Sequence, residues 1–126
     1  MLAWNCRGVG NARTVQDLAV LVQQHSPKLV FLSETRQSEA QIRNLRWRLR
    51  LKGCLARSSG GKSGGIALFW EESLVVNLVT ISDKAIDVTV QEDPASPTWR
   101  ITFLYGEPRV EDRHLTWEFM KRIKFR

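Results

Sequence analysis

Three polar residues whose side chains could act on a phosphate stand at the carboxyl ends of predicted strands: Asn5, Glu34 and Tyr105. A carboxylate can hold a hard cation such as Mg²⁺, an amide can orient a water or a ligand, and a phenol hydroxyl can donate to a phosphate oxygen. Strand ends gather at one edge in α/β folds, where sites form. The structural alternatives are a turn residue, a solvated strand-end charge and a partly buried aromatic, respectively.

A second candidate motif is a phosphate loop over residues 56–63 (ARSSGGKS), with residues 74–81 and Asp83 mimicking a second nucleotide motif. That chemistry requires a helix directly after the Lys-Ser pair, because the helix N-terminus helps to hold the phosphates. Here two glycines and the β-type run 66–70 follow instead. We therefore expect a hairpin loop at this position and no nucleotide site.

The histidines and cysteines do not form a recognisable metal or nucleophile pattern. Cys6 and Cys54 lack CxxC spacing and neighbouring histidines, which favours free thiols in a reducing compartment. Asp112 and His114 resemble a catalytic pair, but their position favours a helix cap and a surface residue. His25 precedes a proline, so we expect it to lie at a helix end.

Composition favours one soluble globular domain spanning residues 1–126. The chain is 43% hydrophobic and 25% charged, and it has neither a membrane-length apolar run nor a secretory signal at its N-terminus. Its net charge is +6, and thirteen of its nineteen basic residues are arginine. This balance favours an anionic partner such as nucleic acid, although excess charge can also serve only solubility. We expect an intracellular protein, nuclear or cytoplasmic, with no membrane partner.

The hydrophobic pattern predicts strand, helix, strand, helix, a run of strands and a last helix, an order that defines a mixed α+β class. Thr14 with Asp17, Ser38 and Asp112 are the expected helix caps. The continuous apolar run 29–32 predicts a strand buried on both faces. The strands are expected over residues 1–6, 29–32, 54–57, 66–70, 74–81, 86–90 and 99–105.

Three segments in order resemble successive motifs of the endonuclease/exonuclease/phosphatase superfamily: WNCRG at 4–8, LSETR at 32–36 and FLYGEP at 103–108. GGIALFW at 64–70 is similar to the glycine-rich strand between them. The set most resembles the apurinic-like endonuclease domain of non-LTR (LINE-type) retrotransposons. The resemblance implies the N-terminal part of a four-layer α/β/β/α sandwich.

The resemblance also implies site roles and a cofactor. Members of the superfamily hydrolyse phosphoesters with Mg²⁺ or Mn²⁺, and a DNA substrate is implied for the retrotransposon type. Glu34 resembles the metal-binding glutamate, Asn5 the asparagine beside the metal, and Tyr105 the tyrosine that donates to the reacting phosphate. In such a site the cation neutralises charge on the phosphate oxygens while fixed donors hold their geometry.

Two later motifs of the superfamily are absent from this sequence. There is no Gly-Asp-x-Asn motif, whose Asp would activate water, and no correctly spaced Asp-His pair. We therefore expect a truncated, weakly active or inactive domain, because members of a catalytic set act together. Truncation would also leave apolar residues of strands 66–70 and 99–105 uncovered, which favours self-association or binding of a missing C-terminal half.

The alternative function is a non-catalytic remnant that binds nucleic acid or protein through its basic surface. Arg43, Arg46, Arg48 and Arg50 crowd the second predicted helix. A solvated helix face is the ordinary explanation for them, and contact with a nucleic-acid backbone is the functional one. The two functions differ in their dependence on metal: the phosphodiesterase requires a metal ion at Glu34, whereas the non-catalytic module binds equally well without metal and in Glu34→Ala.

Overall fold

The computed structural model describes residues 2–5, 12–58 and 64–104, with only the backbone at 3–5. Within these residues the predicted order of strands and helices is confirmed, while the last predicted helix, with Asp112 and His114, lies outside them. The elements are β1 (Leu2–Asn5), α1 (Ala12–His25), β2 (Leu29–Ser33), α2 (Glu39–Leu49), β3 (Gly53–Arg57), β4 (Ile66–Trp70), β5 (Val75–Ile81), β6 (Ala85–Gln91) and β7 (Trp99–Leu104).

The seven strands form two sheets. Sheet A has the order β1-β2-β4-β3, and sheet B has the order β5-β6-β7. In sheet A, β1 and β2 are parallel and the other pairs are antiparallel, whereas sheet B is antiparallel throughout. Two helices with a mixed and an antiparallel sheet confirm the α+β class and are consistent with part of the expected sandwich.

Strand β2 is the centre of the packing, because it contributes side chains to both hydrophobic clusters. Val30 and Leu32 pack in a cluster with the buried residues of α1 and α2. Leu29 and Phe31 pack in a second cluster with residues of β6 and β7. All five residues of the strand are buried, which confirms the expectation from its continuous apolar run. The described part of the chain therefore forms three layers, in the order helices, sheet A and sheet B.

Most of the apolar side chains that were expected to be uncovered on strands 66–70 and 99–105 are buried, whereas Trp70, Trp99 and Leu104 are half-buried. Residues 66–69 are fully buried, as is Phe103, and Ile101 is nearly so. The three strands of sheet B cover the inner face of sheet A, so these side chains need no further chain to exclude water. Large apolar side chains are exposed instead on β5, an edge strand of sheet B, at Val75, Leu78 and Val79.

The two helix starts differ in how well the capping pattern predicted them. Ser38 caps α2 as expected, and Gln41 completes a capping box, since each side chain accepts a backbone N–H of the other residue. The Thr14–Asp17 pair is not the cap of α1, because the helix already begins at Ala12 and includes both residues. Of the two cysteines, Cys54 is a free thiol, as expected, and Cys6 lies outside the described residues.

No helix in the described ranges combines the length and the apolar character needed to span a bilayer.

A buried carboxylate in sheet B makes stability depend on pH. The side chain of Asp87 is 11% exposed, and Arg100 donates to both of its oxygens, with Nη2 at 2.6 Å from Oδ2 and Nε at 3.2 Å from Oδ1. These hydrogen bonds hold the pKa of Asp87 below its usual value of 3.8. Because the pKa of Asp87 is lower in the folded protein than in the unfolded chain, its ionised form stabilises the fold at pH values above the pKa of the unfolded chain. This contribution is lost as the pH falls through the pKa of the folded protein.

We therefore expect Asp87→Asn to lower the urea midpoint of unfolding at pH 7, with the difference from wild type narrowing below about pH 3.8. Asp83→Asn is the control, because the Arg57–Asp83 pair is solvent-exposed on both sides and should change the midpoint less. A difference for Asp87→Asn that stays constant between pH 7 and pH 3 would contradict the electrostatic origin of the effect.

Candidate functional site

Asn5 and Glu34 lie at the same edge of sheet A. Strands β1 and β2 are parallel, and Asn5 is the register partner of Ser33, the residue directly before Glu34. The parallel register therefore brings together two residues that are 29 positions apart in the sequence, at the carboxyl ends of their strands. Glu34 is half-buried at this edge. This is the backbone placement that a shared site requires of the two residues.

Tyr105, the third expected site residue, lies outside the described residues. The strand that precedes it is described to Leu104, and the nearest described aromatic residue on this strand is Phe103. Phe103 stacks on Phe31 of β2, with ring centroids 5.1 Å apart. Sheet B is thus packed against β2, the strand that directly precedes Glu34, and the roles assigned to Asn5, Glu34 and Tyr105 stay predictions.

The backbone directly after β2 has an unusual conformation. Glu34 and Arg36 have positive φ angles of 55° and 54°. Such angles are uncommon for residues with a side chain, and each costs about 1–3 kcal/mol unless the surroundings compensate. The other two non-glycine residues of this kind in the described ranges, Ser26 and Arg50, directly follow the hydrogen-bonded ends of helices, where this conformation is ordinary.

The strained segment is held by the two residues directly before β4. Thr35 N–H donates to the Gly65 carbonyl at 3.2 Å, and Arg36 N–H donates to the Gly64 carbonyl at 3.0 Å. Thr35 is buried, and its Oγ1 atom would lie only 2.4 Å from a Cβ at position 65, where φ is +91°. Only glycine permits this approach, so Gly65 allows the close packing of Thr35 that fixes Glu34 at the edge.

Thr35 and Gly65 were not predicted to be positioning residues, although the glycine pair belongs to a predicted motif. The signal was present in the two glycines before an apolar strand, which permit close backbone approach. Residues 59–63 of the phosphate-loop candidate lie outside the described residues, and the described chain after them forms strand β4 from Ile66 and not a helix.

The described residues supply few groups that could bind a metal ion. In the described ranges no cluster of three or more His, Cys, Asp or Glu residues is arranged to hold one. Among the residues that the structure describes, Glu34 supplies a carboxylate at this edge. Mg²⁺ in phosphate-processing sites is commonly bound by one or two carboxylates, with waters and substrate oxygens completing the coordination, so one carboxylate is compatible with a minimal site of this kind.

Comparison with known proteins defines the fold class. No protein-family profile matches the chain, and no curated protein matches it either. The described fold is similar to that of a solved structure, the human nocturnin catalytic domain with a bound sulfate anion. The similarity has a TM-score of 0.56 at 15% sequence identity, and it covers 89% of this chain. The chain spans about half of that structure, 51% of its length.

Proposed function

We propose that this chain is the N-terminal part of a metal-dependent phosphodiesterase domain, a DNA endonuclease of the non-LTR retrotransposon type, and that alone it has little or no cleavage activity. The observation that carries the proposal is the placement of Asn5 beside Ser33–Glu34 at one sheet edge, in a fold of the nuclease type. The motif resemblance around Asn5, Glu34 and Tyr105 supplies the retrotransposon assignment.

In the proposed site Glu34 holds Mg²⁺ or Mn²⁺, with Asn5 beside it and the Tyr105 hydroxyl as a donor to the phosphate. The cation, when bound, neutralises negative charge that develops on the phosphate oxygens. The strained backbone at residues 34–36 serves this role, because it fixes the carboxylate before the substrate arrives and so removes the cost of ordering it. The sulfate in the nocturnin catalytic domain is an oxyanion of phosphate shape, bound to that protein.

The low activity follows from the groups that this sequence does not contain. It has no Asp-x-Asn motif to activate water and no suitably spaced Asp-His pair to contact the phosphate. Residues of a catalytic set act as a unit, so the loss of one member removes most of the rate enhancement. A carboxylate and two hydrogen-bonding groups can bind a metal phosphate without completing its hydrolysis.

The metal site is tested by Mn²⁺ binding, measured from the electron paramagnetic resonance signal of the free ion. We expect weak binding by the wild-type chain and a reduction of about tenfold or more in Glu34→Gln, since the variant loses the anionic ligand. Glu72→Gln is the matched control, because this exposed glutamate pairs with Lys52 and should leave Mn²⁺ affinity unchanged. Equal affinity in wild type and Glu34→Gln would contradict the metal assignment.

The same preparations test activity on supercoiled and abasic DNA with Mg²⁺. We expect no more than weak nicking by the wild-type chain. Robust nicking that disappears in Glu34→Ala would refute the expected inactivity while supporting the nuclease assignment.

A further inference from the structure

An exposed tryptophan on α2 stands out among the described residues. Trp47 is 63% exposed, more than any other large apolar side chain recorded as exposed. The core side of the helix is formed by Ile42, Leu45 and Leu49, which are buried, so Trp47 has no part in that packing. An indole on a solvent-exposed helix face is costly to keep in water, and aromatic residues in such positions commonly contact a partner.

Arginines surround this tryptophan. The Arg46 guanidinium carbon lies 4.5 Å from the centroid of the Trp47 ring, which is a cation–π contact. Arg43 lies one helical turn before Trp47, and Arg50 caps the helix after it; both are exposed. We call these four residues the Trp47 surface. The stacked guanidinium fixes the ring orientation while much of the indole stays accessible.

The positive charge of the Trp47 surface is available to an external partner. None of the three ion pairs recorded among the described residues involves an arginine between positions 43 and 50. Burial raises the pKa of the Cys54 thiol to about 11, while the nearby charges of Arg43 and Arg46 act in the opposite direction. These two arginines therefore lie close to β3, which carries Cys54, and the thiol stays neutral beside them at physiological pH.

The surface is separate from the candidate active site. Helix α2 begins shortly after Glu34, at the edge where Ser33 pairs with Ile66. It ends before Gly53, which pairs with Trp70 at the other end of β4. Trp47 lies in the last turn of the helix and therefore nearer to the opposite edge of sheet A from Glu34.

We propose that the Trp47 surface binds single-stranded nucleic acid, with a base stacked on the indole and phosphates contacted by Arg43 and Arg50. Stacking on an exposed aromatic requires an unpaired base, and several arginines beside that aromatic complement the backbone charge. The occupant is a single strand because a duplex conceals the faces of its bases. The proposal does not depend on the metal site at Glu34.

The test is fluorescence anisotropy with a labelled oligo(dT) of about 15 nucleotides in EDTA at about 50 mM salt. Trp47→Ala should weaken binding by about tenfold or more, since a base stack lost to alanine has an effect of this order. Trp47→Phe, which keeps an aromatic face, should restore most of the affinity. Arg43→Ala should weaken binding and reduce the steepness of its salt dependence.

Three controls separate this surface from general effects. Leu78→Ala removes an exposed apolar side chain of β5, and Lys84→Ala removes an exposed positive charge from the turn between β5 and β6; neither should change the affinity. Glu34→Gln should also bind as wild type, so a failed metal site and a failed Trp47 surface give different results. Wild-type affinity in Trp47→Ala, equal affinity for duplex DNA, or no binding of oligo(dT) by the folded wild-type chain would overturn the proposal.

Discussion

Phe103→Ala is expected to lower the free energy of unfolding by about 3–5 kcal/mol. The Phe103 side chain is fully buried and stacks on Phe31 across the two sheets, with an angle of 24° between the rings. The substitution by alanine removes buried apolar area and the contact between the two rings. It also leaves a cavity between the two sheets, which the other strands keep apart. Since domains are stable by only about 5–15 kcal/mol, a loss of this size is a large fraction of the total free energy of unfolding.

Chemical denaturation followed by circular dichroism measures the loss. Phe103→Leu should cost less than the alanine variant, because leucine keeps much of the buried volume. Leu78→Ala is the matched control on an exposed position of β5 and should stay within about 0.5 kcal/mol of wild type. A small effect of Phe103→Ala would mean that sheet B does not pack on β2 in solution, which would remove the structural basis for the sandwich.

Gly65→Ala is expected to lower the free energy of unfolding by about 1–3 kcal/mol and to weaken Mn²⁺ binding at the same time. Alanine is strained at a φ of +91°, and its Cβ would come within 2.4 Å of Thr35 Oγ1. The buried threonine must then move, and it lies between the two strained residues, Glu34 and Arg36. We therefore expect this substitution, directly before β4, to displace the carboxylate that we propose as a metal ligand.

A double-mutant cycle with Thr35→Ala separates the two causes. The threonine variant removes the hydroxyl that the new Cβ would meet, so the double variant should be less destabilised than the sum of the single variants. The cost of Gly65→Ala measured in the Thr35→Ala background is then mainly that of the backbone angle. Strict additivity would show that the approach of Thr35 to residue 65 contributes nothing, and unchanged Mn²⁺ affinity in Gly65→Ala would show that the segment does not position Glu34.

The sequence predicted best where one local cause determines the structure. Strand β4 was predicted to the residue because a short apolar run is bounded by glycines and by charged residues. The start of α2 was predicted because Ser38 satisfies its first N–H groups. The Thr14–Asp17 pattern failed because a capping box is a short motif that also occurs within helices, and the residues before Thr14 already adopt helical angles.

The features that depend on pairing between distant residues could not be predicted. The apolar run of β2 indicates burial on both faces, but not that one face packs against helices and the other against sheet B. The burial of Phe103 likewise depends on how the three strands of sheet B pack over the four strands of sheet A. At the candidate site, the strand-end positions of Asn5 and Glu34 were predictable, whereas the left-handed backbone at Glu34 was not, because glutamate adopts it only when neighbours enforce it.

The position of β2 has a consequence for the behaviour of the whole chain. Its side chains alternate between the two hydrophobic clusters, and its last residue directly precedes Glu34. A change in the packing of either cluster therefore shifts the same strand, because both faces of β2 are packed. The position of Glu34 at the end of β2 therefore depends on the packing of the helices and on the packing of sheet B.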